Sequence, residues 1–273
     1  MPKKKDKNKP DLLLTYYREI TKSKHLHFGY WKKGDDLDMK HLRIAQERYL
    51  DHFMSFIPKT VKRVLDVGCG VGGNAERLLN DDYIVTSLCP DPLLEPEFIK
   101  NTDNKAPFIL TKYEDLNLDE TFDLVLMAES CQYINTEKGL DKSKKMLTKD
   151  GYLLIIDYFK VDGNEGGIYM AGHSQNGYKA AAESRGFKLI KEDDITDHVS
   201  PSFDFMSDLY TSYLIPSFKV VVKAMDIYVP FLYKITRALF RKKLKETIDN
   251  SNISGETFAK HRRYMVYLFQ LQS

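Results

Sequence analysis

The sequence predicts an α/β fold in which a largely parallel sheet is covered by helices on both faces. Two observations carry this reading. Short apolar runs alternate with helical stretches from residue 61 to residue 192, as a parallel sheet requires when every crossover returns the chain to the same edge. The first run also ends in a glycine cluster, Gly68-Cys69-Gly70-Val71-Gly72-Gly73, at the strand-to-helix turn beyond which α/β proteins hold ligands. The 273 residues, 42% hydrophobic and 29% charged, suffice for one such domain with added helices.

The elements follow in order. Residues 1–10 form a basic tail with Lys3, Lys4, Lys5, Lys7 and Lys9, read as a solvated segment or as a contact for nucleic acid or anionic membrane. Residues 11–58 form an N-terminal helical cap, with helical spacing over 12–20 and 39–57. In the second stretch Leu42, Ala45, Tyr49, Leu50, Phe53 and Ile57 share one face, and Pro58 ends it. The linker His25-Leu26-His27-Phe28-Gly29-Tyr30-Trp31 is too aromatic for a merely solvated loop. Residues 59–198 form the core, with strands at 61–67, 84–88, 108–110, 124–128, 152–158 and 187–192. Helices intervene at 74–80, 95–100, 137–147 and 179–184. Residues 199–257 form an aromatic-rich lid broken by Pro201, Pro216 and Pro230. Residues 258–273 return as a closing strand.

Composition narrows the function. A formal net charge of +2 gives no broad field for a nucleic-acid partner. No run of 18 uncharged apolar residues is present, so a spanning helix is not expected. The Lys-rich start does not read as a secretory signal. Cys69, Cys89 and Cys131 are an odd number without metal-ligand spacing, which suits reduced thiols in a cytoplasmic protein. Asp193-Asp194 has no His or Cys at ligand spacing, so no metal is expected. No Ser-His-Asp arrangement and no Lys-Ser/Thr after the glycines is present.

The glycines match a dinucleotide pattern, G-x-G-x-x-G, which alone is weak. Asp66 separates the possibilities. A carboxylate two residues before the first glycine repels a pyrophosphate and attracts the ammonium of an amino-acid moiety. The run Val64-Leu65-Asp66-Val67-Gly68-Cys69-Gly70-Val71-Gly72-Gly73 resembles motif I of the class I S-adenosylmethionine-dependent methyltransferases. Phe122-Asp123-Leu124-Val125-Leu126 and Asp150-Gly151-Tyr152-Leu153-Leu154-Ile155 resemble the later motifs, so the likeness spans roughly 60–160. It implies a Rossmann-like, doubly wound seven-stranded sheet with an antiparallel last strand. It also implies S-adenosyl-L-methionine as cofactor, with Asp66, Gly68, Cys69, Gly70 and Gly72 along its methionine end. Tyr16-Tyr17, His27-Phe28-Gly29-Tyr30-Trp31 and Ala45-Gln46 resemble the cap of the tocopherol, sterol and natural-product branch. That places Tyr16, Tyr30 and Trp31 beside the sulfonium, where aromatic faces favour a cation; the other reading makes these rings cap core.

The sequence departs from the pattern in three places. Cys89, followed by Pro90, stands where an acid normally binds the ribose hydroxyls, so ribose binding must be looser or recruit a neighbour. Lys112 stands where an Asp precedes the adenine contact, leaving Tyr113 and Glu114 as adenine-side candidates. Gln132 and Tyr133 stand where related O-methyltransferases carry a basic His. Glu129 either orients the acceptor or takes its proton, or only hydrogen-bonds backbone. His27 and His198 are the next candidates for a base.

The lid residues Phe203, Phe205, Met206, Tyr210, Tyr213, Leu214, Phe218, Met225, Tyr228, Phe231, Leu232, Tyr233 and Phe240 imply a hydrophobic small-molecule acceptor, or else form the lid's own core or a dimer interface. The basic run Arg237, Arg241, Lys242, Lys243 and Lys245 is a solvated face or a peripheral membrane contact. The expected activity is methylation of a natural product, terpenoid, quinone or lipid precursor by a monomer or homodimer, with the methylated atom open. RNA or protein methylation and non-catalytic cofactor binding are the alternatives.

Overall fold

The computed structural model describes residues 17, 19–163, 172–231 and 254–272. The basic tail, Tyr16, Leu232, Tyr233, Phe240 and the run Arg237 to Lys245 lie outside the described residues. Seven strands form one sheet: β1 (Arg63–Val67), β2 (Ile84–Cys89), β3 (Phe108–Leu110), β4 (Phe122–Ala128), β5 (Leu147–Lys160), β6 (Phe187–Asp194) and β7 (Arg262–Leu271). Their order is β3-β2-β1-β4-β5-β7-β6. The pairs from β3 to β5 are parallel, and β7 runs antiparallel between β5 and β6.

The central strands are apolar on both sides because both faces are covered. On one face Val64, Leu124 and Leu154 pack with Tyr49, Leu50 and Phe53 of α1 (Met39–Met54). On the other, Leu65, Val125 and Leu153 pack with Leu140 of α4 (Thr136–Met146) and with Tyr178 and Ala182 of α5 (Gln175–Glu183). The crossovers α2 (Gly73–Asn80) and α3 (Glu95–Asn101) complete the first half of the sheet. Side-chain caps fix several helix starts: Asp38 accepts from the His41 N–H, Asn135 from Lys138 and Ser174 from Gly177. Each such cap stabilises its helix by about 1 kcal/mol.

Several element bounds differ from the sequence reading, and two of the differences bear on the lid. Residues 258–261 are helical, in α9 (Gly255–His261), because Ser254 caps that turn by accepting from the Thr257 N–H; the strand begins only at Arg262. The core–lid boundary at 198/199 falls inside α6 (Thr196–Val199). The lid then runs through α7 (Pro201–Asp208), a π-helical turn at Leu209–Leu214 and α8 (Ile215–Tyr228). Phe205 and Leu209 close onto Trp31, Leu42 and Ala45, joining cap to lid in a third apolar cluster.

Candidate active site

A cavity of about 390 Å³ opens where the glycine turn, the end of β4 and the cap linker meet. Its volume falls within the range of small-molecule sites. The turn supplies Gly68, Cys69, Gly70, Val71 and Gly73, β4 and its extension supply Ala128 and Glu129, and the linker supplies Lys24, His25, Leu26 and His27. Asn74, Asp91 and Tyr133 complete the wall.

Close packing explains the glycines. A side chain at Gly68 would run into Ser130, whose hydroxyl donates to the Val67 carbonyl (2.6 Å). One at Gly73 would meet His25 Nδ1 at 2.5 Å. Gly68, Gly70 and Gly72 adopt φ of 79°, 54° and 90°, the left-handed region that glycine enters without penalty. Gly72 precedes α2 and lies under Phe98 rather than on the cavity wall.

Beneath the turn Asp66 is 1% exposed, and its Oδ2 has no hydrogen-bond partner. Burial pushes its carboxyl up to about 7, since the ionised form loses its hydration. Asn74 Oδ1, His25 Nδ1 and His27 Nε2, all on residues lining the cavity, are likewise buried without partners. Native interiors leave few polar atoms in this state.

Glu129 anchors the other rim. Its backbone sits at φ 58°, uncommon for a residue with a side chain. The Phe28 N–H (2.8 Å) and the Tyr264 hydroxyl (2.6 Å) both donate to Oε1. The Tyr49 and Tyr264 oxygens are 2.9 Å apart, and because the Tyr264 proton faces Glu129, Tyr49 is the donor. Burial raises the Glu129 carboxyl to about 7, against the lowering effect of the Tyr264 and Phe28 bonds. Below lies Asp157, pushed up to about 8 by burial although the N–H groups of Gln132 and Tyr158 donate to it. Glu129 raises it further.

The cap linker is held by Gln46, a fully buried amide that the sequence reading quoted without a role. Its Nε2 donates to the carbonyls of His27 (2.8 Å) and His25 (3.3 Å), and its Oε1 accepts from Ser23 (2.6 Å). His27 stacks on Tyr49 at 4.3 Å, and the Phe28 carbonyl accepts from its Nδ1 (2.8 Å), which leaves a lone pair on Nε2. Burial lowers its pKa to about 3, so the ring is neutral at physiological pH.

The structure thus brings together Gly68, Cys69, Gly70, Glu129 and His27 on the cavity wall, with Asp66 buried beneath the turn. It separates others from them. Trp31 is cap core: its ring packs in the cap–lid cluster, and its indole N–H donates to Ser202 (2.8 Å). Tyr30 stacks on His198 (4.0 Å), whose Nδ1 donates to the Trp31 carbonyl (2.8 Å), so this pair welds cap to lid. Neither ring lines the cavity; both sit in the cap–lid packing. Tyr113 is buried in the core with its hydroxyl 3.0 Å from that of Ser143, and Glu114 accepts from the Asn135 N–H; neither reaches the cavity. Cys89 is buried with the N–H groups of Asp91 and Gly70 facing its sulfur, and burial pushes the thiol up. Pro90 is exposed beside it. Asp91, two residues after Cys89, reaches the wall instead. Gln132 stands just behind the wall, its Oε1 buried without a partner, while Tyr133 at the mouth is 79% exposed. Sequence reasoning missed Asn74 and the tyrosines. Asn74, directly after the glycines, carried a local signal; Tyr264, 135 residues from Glu129, carried none.

A sequence family described as a methyltransferase domain matches residues 65–155. The sterol 24-C-methyltransferase of Schizosaccharomyces pombe is 27% identical over 219 residues, which cover 69% of this chain and 55% of that protein. The norajmaline N-methyltransferase of Rauvolfia serpentina is 28% identical over 151 residues, covering 49% and 51%. The chain therefore spans about half the length of these curated relatives. Among solved structures, the cyclopropane synthase MmaA2 from Mycobacterium tuberculosis superposes with a TM-score of 0.69 at 13% identity, covering 97% of this chain and 95% of that one. The chain has the Rossmann-like fold of these methyltransferases, and its residues 65–155 match a methyltransferase domain.

Proposed function

We propose that the chain transfers a methyl group from S-adenosyl-L-methionine to a hydrophobic small molecule, at carbon, nitrogen or oxygen. One observation carries this reading: a buried carboxylate oxygen without a partner lies under a turn whose Gly68, Gly72 and Gly73 leave no room for side chains and whose Gly70 adopts left-handed backbone. A dinucleotide would bring a pyrophosphate toward that carboxylate, whereas an amino-acid-bearing sulfonium brings an ammonium. The residues present fit such a cofactor. Asp66 holds the ammonium end, the Gly68–Gly70 backbone lies along the chain that follows it, and Asp91 takes the ribose role that Cys89 cannot fill. When bound, S-adenosyl-L-methionine supplies an electrophilic methyl group on a positively charged sulfur.

The chain's own residues then position the acceptor and manage its proton. Burial puts Glu129 near 7 and His27 near 3, so Glu129 is the better proton acceptor at neutral pH. Tyr264 and the Phe28 N–H fix its carboxylate geometry, which matters because displacement at a methyl group gains most from alignment of the reactants. His27 Nε2 offers a neutral hydrogen-bond acceptor in the same cavity. An amine or activated carbon needs little from Glu129, whereas an alcohol needs its proton removed. The test is incubation of the full chain with S-adenosyl-L-methionine and a panel of terpenoid, sterol, quinone and alkaloid acceptors. Acceptor-dependent formation of S-adenosylhomocysteine is expected. Tight cofactor binding without turnover on any acceptor class overturns the catalytic reading, and RNA- or protein-dependent turnover overturns the substrate class.

A further inference from the structure

We propose that the exposed face of α8 docks on an anionic membrane surface. This inference does not rest on the methyl-transfer reading. Although α8 is rich in apolar residues, none of its side chains is buried. Val220, Val221, Ile227 and Tyr228 are 68, 55, 63 and 80% exposed. Val220, Ala224 and Ile227 recur at the spacing of one helical stripe, with Val221 and Tyr228 beside them. Lys219 and Lys223, one turn apart, line the next stripe. A helix that belongs to a core hides such residues, and one facing only water does not carry them.

Charge selects the occupant. Between residues 215 and 245 the sequence carries Lys219, Lys223, Lys234, Arg237, Arg241, Lys242, Lys243 and Lys245 against Asp226 as the single acid. The rest of the chain is net acidic, at −5, since the total net charge is only +2. An apolar stripe edged by lysines, in a strongly basic stretch of sequence, matches a surface with anionic headgroups over a hydrocarbon interior. The helix lies on that surface and does not cross it: its 14 residues reach about 21 Å at 1.5 Å per residue, short of a hydrocarbon core of about 30 Å. No described helix is long and apolar enough to span.

The full chain should be sedimented with vesicles of phosphatidylcholine alone and of phosphatidylcholine with phosphatidylglycerol. Binding is expected on the anionic vesicles, is much weaker on the neutral ones, and falls as salt is raised. Val220→Ser with Ile227→Ser is expected to lower the partition coefficient at least about tenfold, as is Lys219→Glu with Lys223→Glu, while the unfolding midpoint and S-adenosylhomocysteine affinity stay the same. Equal binding by wild type and both variants, or recovery of the wild type in the supernatant of both vesicle types, overturns the proposal. A lipid-independent dimer that the Val220/Ile227 substitutions dissociate also overturns it, because the face is then an interface between copies.

Discussion

The two sides of the cap, one turned toward the glycine loop and the other toward the lid, are built on opposite principles. On the glycine side, polar groups are buried and locked: Gln46 holds the linker by its carbonyls, Tyr264 and the Phe28 N–H hold Glu129, and Ser130 holds the turn. Buried polar atoms without a hydrogen-bond partner include those of Asn74, His25 and His27 on the cavity wall and of Asp66 beneath the turn. On the lid side, α7 seats Phe205 against Trp31, but beyond Leu209 the chain turns its apolar side chains outward, with Tyr213 60% and Phe218 40% exposed. The first region is preorganised for one ligand. The second is an apolar surface that binding has not yet committed, and the expected aromatic acceptor wall is therefore split: only its first part packs toward the cap.

Substitutions should expose that contrast. The largest effect is expected at Gly68→Val, where a branched side chain in left-handed backbone collides with Ser130. A loss of about 3 kcal/mol or more is expected in denaturant unfolding, with no S-adenosylhomocysteine binding. Gly70→Val sharpens the point. Its nearest neighbour is Leu26 Cδ1 at 3.4 Å, so only about 1–2 kcal/mol of backbone strain is expected, yet cofactor binding should still vanish. Unchanged affinity by calorimetry would contradict the placement of the ligand along the turn.

Glu129→Gln comes next. For an acceptor that must lose a proton, turnover should drop about 100-fold or more while S-adenosylhomocysteine affinity stays within a few-fold, and the limb of the pH–rate profile near 7 should disappear. Tyr264→Phe removes a hydrogen bond to that carboxylate. About 1.5–3 kcal/mol of stability at pH 8 is expected to go, and the limb should move upward in pH, because the lost bond was holding the Glu129 carboxyl down. The smallest effect is expected on the lid, where Tyr213→Ser should alter unfolding free energy by no more than about 0.5 kcal/mol. A larger loss would mean that the outward face is packed in solution.

The same contrast explains what the sequence made legible. The glycine turn, Asp66 and the strand alternation are local patterns with a physical reason at each position, so the sheet, its ligand-binding edge and the depth of the donor side could be read directly. Trp31 and Tyr30 stayed open in the sequence because an aromatic ring next to a glycine-rich site serves equally as core packing or as a cation platform. Only the positions of Ser202 and His198, about 170 residues away, decide between them. Tyr113 was ambiguous in the same way, its hydroxyl being settled by Ser143 across α4. The place of Asp91 on the cavity wall was hidden behind Cys89, and the linker bonds of Gln46 behind the ordinary look of a helical glutamine.

The most direct measurement is calorimetric titration of S-adenosylhomocysteine into the wild type and Asp66→Asn between pH 5.5 and 8.5. The free protein holds Asp66 with its carboxyl raised to about 7 from an ordinary 3.8. Its share of folding stability is therefore present at low pH and lost as pH rises through about 7. An ammonium brought against it favours the ionised form, so affinity should strengthen as pH rises toward 7, by up to about tenfold per pH unit below that point, and level off above it. In Asp66→Asn binding should be weaker and this dependence flattened. Equal affinities and parallel pH profiles for the two proteins would show that the buried carboxylate does not receive the ligand.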